Sequence, residues 1–357
     1  MTAIDLEKFI QKYGGMTEEY TFYKGEVVLR YDPVKHLYFL VTDKGLIKQD
    51  GVTNIAHIID KSSILMPWAC KMMVKKLTDS LQPHLLASEY YYAHKDILEK
   101  LITESKTAHR EKLEDAGNVG HEAHAWIEDY IKNCLKGEDW GKPWLHTVKD
   151  QRAKNAITQS LIWMNSHNVR WLSTERKIYS RDYGFAGTMD GLARVDSCSD
   201  PKCCPVTFKD RLSIVDWKTS NYLYIEYLLQ TSAYKEAYEE ETGQVVEDIW
   251  IIRLGKEEAE VETWHIDSVL ADVAFQAFYQ ALQLSRAMEQ LETAFDDVKE
   301  RKTQVKKEEK EKAKQDSLLV KCKGADKYKG IRYPKCNKGA PCQTCLEKYN
   351  QKHPKKT

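Results

Sequence analysis

Three predicted strands follow one another in the middle of the chain, and this run limits the possible folds more than any other feature. Residues 171–181, 185–196 and 212–218 show the alternation of apolar and polar side chains that is typical of strands. An amphipathic helix at 222–241 and an apolar strand at 246–254 follow. Consecutive strands, then a strand after a helical crossover, predict an α/β fold with a mixed central sheet flanked by helices.

The regions on either side of these strands predict three domains. Residues 1–110 begin with short strands and become helical, so they are expected to form a β-hairpin and helical region. The core is assigned to residues 111–298 and begins with a helix that is expected to break around Gly117 and Gly120. A single long helix then leads into residues 299–357, a basic helical arm with a Cys-rich module.

Composition and charge set further limits. Of the 357 residues, 42% are hydrophobic and 30% are charged, as in globular proteins, and no run of about 18 apolar residues predicts a membrane span. No secretion signal is evident at the N-terminus, so a cytoplasmic location is expected, in a bacterium or a phage-infected host cell.

Charge is unevenly distributed although the formal net charge is zero. Residues 299–357 contain 19 Lys and Arg against 7 Asp and Glu, so the rest of the chain carries a matching negative excess. A basic tail beside an acidic body is typical of a protein that binds a polyanion. For residues 299–314, charge alone slightly favours a solvated Lys/Glu helix.

The end of the third strand places an acid and an amine on one face. Side chains alternate along a strand, so Asp216 and Lys218 point the same way, and burying them requires a partner or a ligand. The preceding strand carries Asp190, which can converge on Asp216 if the two strands pair. Close carboxylates repel each other unless a divalent cation relieves the charge, and oxygen ligands favour Mg²⁺ or Mn²⁺. Most Asp-x-Lys sequences are exposed ion pairs, so this motif alone is weak.

Four short motifs follow one another between residues 120 and 234. They are Gly120-x-x-x-His124-x-x-x-Glu128, Gly187-Thr188-x-Asp190, Val215-Asp216-Trp217-Lys218-Thr219 and Gln230-x-x-x-Tyr234. In these motifs and in the order of predicted elements, residues 111–266 resemble the RecB-type branch of the PD-(D/E)XK nucleases, in particular its phage-type members. The resemblance implies a restriction-endonuclease-like core and a DNA exonuclease that acts on linear or single-stranded ends in recombination, repair or phage DNA processing.

The resemblance also implies which residues bind the metal. Asp190 and Asp216 match the metal-binding carboxylates, with the main-chain carbonyl of Trp217 as a further ligand. His124 matches a histidine that binds the metal or contacts the scissile region. The ion expected here is Mg²⁺ or Mn²⁺, which lowers the pKa of bound water and screens the phosphate.

The remaining matched residues have supporting roles. By resemblance, Lys218 positions or polarises the attacking water and stabilises charge on the phosphate. Gln230 and Tyr234, four residues apart on one helix face, support the site and contact nucleic acid.

Three other residues are candidates for the same site. His121 also follows a glycine by four residues and lies about 60° from His124 around the helix. We favour His124 because Glu128, itself a possible additional ligand, follows it by four residues. Glu175 on the first strand is either an additional ligand or an exposed strand carboxylate.

Seven of the nine cysteines form two clusters. Four thiols spaced C-x13-C-x5-C-x2-C at the C-terminus predict a structural metal site, with zinc favoured over an iron–sulfur cluster or free thiols. These ligands are Cys322, Cys336, Cys342 and Cys345. The other cluster, Cys198, Cys203 and Cys204, lies between the second and third strands. No fourth ligand is obvious nearby, so we expect an exposed loop with reduced thiols.

Two other functions fit the same sequence. One is a non-catalytic nucleic-acid-binding protein that uses the Cys-rich tail, and the other is a site-specific endonuclease on the same core. The expected partner is DNA with a free end or a single-stranded region. Because the sequence contains no Gly-x-x-x-x-Gly-Lys-Ser/Thr motif, unwinding would require a helicase or recombination partner.

Overall fold

The chain is an α/β protein with a mixed sheet, flanking helices and a long C-terminal helix, as the sequence predicts. The computed structural model describes residues 17–58, 62–86, 95–137, 145, 147–257, 260–317, 319–321, 332–334, 347 and 351. These residues fall into two compact units, one ending at Ser285 and the other beginning at Arg286.

Nine strands form one sheet within the described residues. They are β1 (Glu18–Phe22), β2 (Val27–Asp32), β3 (Leu37–Thr42), β4 (Gly45–Gly51), β5 (Arg170–Ser180), β6 (Phe185–Val195), β7 (Arg211–Lys218), β8 (Asp248–Leu254) and β9 (Val261–Asp267). The order is β1-β2-β3-β4-β6-β7-β8-β9, with β5 also paired to β6. Pairs β4–β6 and β7–β8 are parallel and the others antiparallel. In the second unit, β10 (Leu319–Lys321) pairs with β11 (Arg332–Pro334).

Seven α-helices lie in the described ranges. They are α1 (Val52–Ala56), α2 (Ser62–Leu86), α3 (Lys95–Ser105), α4 (Ala108–Lys136), α5 (Gln151–Ser166), α6 (Ile225–Thr242) and α7 (Ser268–Ser317). None of them is long and apolar enough to cross a membrane. The expected break in α4 is wrong, because the helix continues through both Gly117 and Gly120.

Strand β6 occupies the centre of the sheet. One of its edges pairs with β5 along most of its length. The other edge pairs first with β4, at Phe185 and Ala186, and then with β7, from Gly191 to Val195. The residues between these two contacts include Asp190, so the sheet leaves this carboxylate at the junction between two neighbouring strands.

Two apolar layers cover the core of the first unit. On one side, α6 and the beginning of α7 contribute buried side chains such as Leu229 and Phe278, which cluster with Ile214 of β7. On the other side, α4 and α5 contribute Ile127 and Ile157, which cluster with Trp217. Alternate residues of β7 therefore enter opposite layers, as expected for a strand buried on both faces.

Candidate active site

The pairing of β6 with β7 brings Asp190 and Asp216 together. The register pairs Gly191 with Val215, so Asp190 lies opposite Asp216 one position further along the antiparallel strands. The main-chain N–H of Trp217 donates a 3.1 Å hydrogen bond to Oδ2 of Asp190. This bond fixes one carboxylate against the strand that carries the other.

Asp216 is a buried carboxylate that is paired with the ammonium of Lys218. Its side chain is 1% exposed, and its Oδ2 lies 2.6 Å from Nζ of Lys218. Within the described residues, neither carboxylate oxygen accepts a hydrogen bond of good geometry. Burial, opposed by Lys218 and reinforced by Asp190, raises the pKa of Asp216 to about 6. Such a carboxylate fits a hard divalent cation, which would bind oxygen atoms that the protein leaves unsatisfied.

A chain of polar contacts holds Lys218 in place. Its Nζ donates a 3.2 Å hydrogen bond to Oε1 of Gln230, whose Nε2 donates a 2.6 Å bond to the hydroxyl of Tyr234. The ring of Tyr227 lies 4.8 Å from the ammonium. Burial lowers the pKa of Lys218, but the nearby carboxylates outweigh it and the net shift is upward. Lys218 is therefore a fixed positive charge.

Tyr234 supports the site from within the core. Its side chain is 2% exposed and its hydroxyl accepts the hydrogen bond from Gln230. Contact of this pair with nucleic acid stays a prediction. Its ring occupies the space beside Gly187, where an added Cβ would lie 2.8 Å from Cε1 of Tyr234. The glycine of this motif is therefore explained by packing.

Helix α4 delivers His124 to Asp190. Nδ1 of His124 lies 3.7 Å from Oδ2 of Asp190. One turn earlier, a Cβ on Gly120 would lie 2.7 Å from Oγ1 of Thr219, so the glycine permits the helix to approach the end of β7. Burial and Lys218 lower the pKa of His124, which favours a neutral imidazole with a lone pair for a metal.

Two more carboxylates approach Asp190, whereas the alternative histidine does not. Glu175 lies between Thr174 and Arg176, whose partners in β6 are Gly191 and Met189 on either side of Asp190. Glu175 is half-buried with φ of 49°, and burial, Asp190 and Glu128 raise its pKa to about 7. Glu128 forms an ion pair with Lys132. His121 is exposed.

The side chain of Trp217 has a packing role. It is 2% exposed and contacts Trp163 edge to face, with ring centroids 5.6 Å apart. The use of its main-chain carbonyl as a metal ligand stays a prediction. His124 and Asp190 lie close enough together to reach one ion, whereas among the described residues no close group of three potential ligands includes Asp216. The carboxylates of Asp190 and Asp216 and the imidazole of His124 are donors of a kind that Mg²⁺ or Mn²⁺ binds.

The two cysteine clusters have different outcomes. The predicted C-terminal zinc ligands lie outside the described residues, and that site stays a prediction. For the other cluster, the expectation of an exposed loop with no fourth ligand is wrong. Cys204 is 6% exposed, and His167 joins the thiols of Cys198, Cys203 and Cys204. Sequence reasoning missed His167 because it lies at the end of α5, about 30 residues before the loop, where no spacing motif marks it.

Comparisons with known proteins add little. No protein-family model and no curated protein matches the chain. Among solved structures, one that is similar is described as a "putative exonuclease" from Eubacterium rectale, with 14% identity and a TM-score of 0.29. The alignment covers 46% of this chain and 64% of that chain, less than two thirds of its length. Similarity at this level carries no argument about function.

Proposed function

We propose that this chain is a divalent-metal-dependent DNA nuclease of the PD-(D/E)XK type, an exonuclease that acts on linear or single-stranded ends. The observation that carries the proposal is the convergence of Asp190, Asp216 and Lys218 at the junction of β6 and β7. Two acids and a lysine in a largely buried arrangement are costly to keep without a ligand, and the contact with Lys218 does not fully offset the burial of Asp216, whose pKa is still raised.

The metal ligands in this proposal are Asp190, Asp216, His124 and the main-chain carbonyl of Trp217. When bound, Mg²⁺ or Mn²⁺ lowers the pKa of a water molecule and neutralises charge on the phosphate. Asp190 is held by the N–H of Trp217, so its orientation does not depend on the ion. Glu175, in a left-handed backbone conformation that costs energy in a non-glycine residue, would add a further oxygen ligand in this proposal.

Lys218 supplies the positive charge that faces the phosphate. A fixed ammonium stabilises negative charge that develops in the transition state, provided that it does not have to reorganise during the reaction. Gln230 meets this requirement because its Nε2 is held by Tyr234, which leaves Oε1 directed at Lys218. Gln230 and Tyr234 are therefore positioning residues that act through the lysine.

The test uses the full chain with Mg²⁺ or Mn²⁺ and end-labelled single-stranded, duplex and closed circular DNA. We expect degradation of linear substrates and no attack on closed circles. Discrete fragments from circles would instead identify an endonuclease on the same core. Intact DNA in every substrate with both metals, together with salt-sensitive binding, would indicate a non-catalytic binding protein.

Two variants locate the chemistry. We expect Lys218→Met and Asp216→Asn to reduce cleavage by about 10²–10³-fold or more, the usual effect of removing one group that stabilises transition-state charge. Lys235→Met is the matched control, because Lys235 is also a buried, ion-paired lysine, on α6, but its partners are Glu239 and Asp272. Folding of each variant is checked by circular dichroism. Equal activity in Lys218→Met and Lys235→Met would reject the site.

A further inference from the structure

A second cluster of metal-binding side chains lies in the loop between β6 and β7. The Sγ atoms of Cys203 and Cys204 lie 3.5 and 3.6 Å from Nε2 of His167, and Sγ of Cys198 lies 3.5 Å from Sγ of Cys204. All four ligand atoms lie within 4.8 Å of one another. The loop joins the ends of β6 and β7 that are remote from Asp216. Strand β7 begins at Arg211, and the path along the strand from there to Asp216 is about 17 Å at about 3.4 Å per residue.

Three of the six separations among these four ligand atoms match those around a single tetrahedral zinc ion, and the other three are at most 4.8 Å. With Zn–S of about 2.3 Å and Zn–N of about 2.0–2.1 Å, neighbouring ligand atoms in a tetrahedron are about 3.6–3.8 Å apart. The three separations given above agree with that range to within about 0.3 Å. Cys₃His is also a frequent ligand set of structural zinc sites.

His167 is oriented as a metal ligand. Its Nδ1 lies 2.9 Å from the main-chain oxygen of Trp163, so Nδ1 carries the proton and donates it to that carbonyl. The lone pair of Nε2 is then directed at the sulfur atoms, which is the usual arrangement of a histidine that binds metal. The ring is 1% exposed and stacks on Trp163 at 4.5 Å, so packing fixes its orientation.

The loop backbone is folded around the sulfur atoms. The main-chain N–H groups of Cys203 and Cys204 both donate to the carbonyl of Asp200, which forms a tight turn that presents two adjacent thiols. The N–H of Cys198 lies 3.3 Å from Sγ of Cys204 and donates to it. These bonds hold the three sulfur atoms on one side of the loop, facing His167.

We propose that His167, Cys198, Cys203 and Cys204 bind one zinc ion that fastens the β6–β7 loop to the end of α5. Four protein ligands leave no open position, so the ion is structural. It fixes the connection between the two strands that carry Asp190 and Asp216. A disulfide between Cys198 and Cys204 is the competing arrangement, and it would leave the thiol of Cys203 as the remaining partner of Nε2 of His167.

The experiment separates this ion from any zinc in the C-terminal module. The full chain carrying Cys336→Ser and Cys342→Ser keeps the proposed site intact and disrupts the tail cluster. After purification with zinc, we expect one zinc per chain by mass spectrometry. X-ray absorption should show three sulfur atoms at about 2.3 Å and one nitrogen at about 2.0–2.1 Å. All four proposed ligands are present in this protein, so the result does not depend on whether a variant of the proposed site can fold.

Adding Cys204→Ser to this background should remove the ion, whereas adding Cys134→Ser should not, because Cys134 is a free, exposed thiol elsewhere. EDTA should lower the Tm of the background protein and leave that of the Cys204→Ser protein unchanged. Absence of zinc from the background protein, coordination by four sulfur atoms, equal zinc in the Cys204→Ser and Cys134→Ser proteins, or a Cys198–Cys204 disulfide would overturn the proposal.

Discussion

Replacing Asp216 with asparagine should abolish cleavage and at the same time stabilise the metal-free protein. Asp216 is 1% exposed, and burial raises its pKa from 3.8 to about 6. The folded protein therefore binds this proton more tightly than the unfolded chain does. The associated stability is fully present below pH 4 and is lost as pH rises through 6.

The expected gain in stability of Asp216→Asn follows from the raised pKa of Asp216. A difference of about two pKa units, at 1.36 kcal/mol each, corresponds to about 3 kcal/mol. Asparagine has the shape of the protonated acid but cannot ionise. In EDTA at pH 7.5, Asp216→Asn should therefore be about 3 kcal/mol more stable than the wild type, with a Tm higher by roughly 6–12 °C. At pH 4 the two proteins should have similar stability.

Urea unfolding followed by tryptophan fluorescence measures this difference at both pH values. Asp43→Asn is the control, because Asp43 is an exposed residue in the turn between β3 and β4, and this protein should follow the wild type. Excess Mg²⁺ should stabilise the wild type and leave Asp216→Asn unchanged. A variant that is less stable than the wild type at pH 7.5 in EDTA would show that the carboxylate is satisfied in the apo protein, and the argument for a metal ligand would fail.

Three other predictions concern the neighbours of this carboxylate. His124→Ala should reduce cleavage and weaken Mn²⁺ binding, which calorimetry measures. His121→Ala should change neither, because His121 is exposed, and the reverse result would reassign the motif histidine. Gly187→Ala should lower both Tm and activity, since the new Cβ would lie 2.8 Å from the ring of Tyr234, and an unchanged Tm would contradict the packing argument. Tyr234→Phe should cost about 1 kcal/mol of stability for one hydrogen bond and lower kcat more than it changes KM; a change confined to KM would point to substrate binding instead.

Local patterns predicted the elements of the core well. Strands β5 to β8 and helix α6 lie within a few residues of their expected bounds, because alternation and amphipathicity are encoded over short windows. The approach of Asp190 to Asp216 was also predictable, since consecutive strands usually pair. Individual site roles stay predictions.

Long-range placement was not predictable. The parallel pairing of β4 with β6 joins residues more than 130 positions apart and has no local signal. Helix α5 was not predicted, so its terminal His167 could not be connected with the cysteine loop. The expected break at Gly120 failed because the glycine is needed for the close contact with Thr219, a reason that a propensity scale does not contain.

The division of one β6 edge between β4 and β7 has a practical consequence for the preparation of a shortened chain. Deleting β1–β4 would strip backbone partners from Phe185 and Ala186 and would remove the 2.8 Å hydrogen bond between Tyr38 and Thr188, inside the second motif. The exposed strand edge would then be open to pairing with other molecules. Truncation from the N-terminus should therefore yield aggregated protein, and a shortened chain has to retain this region.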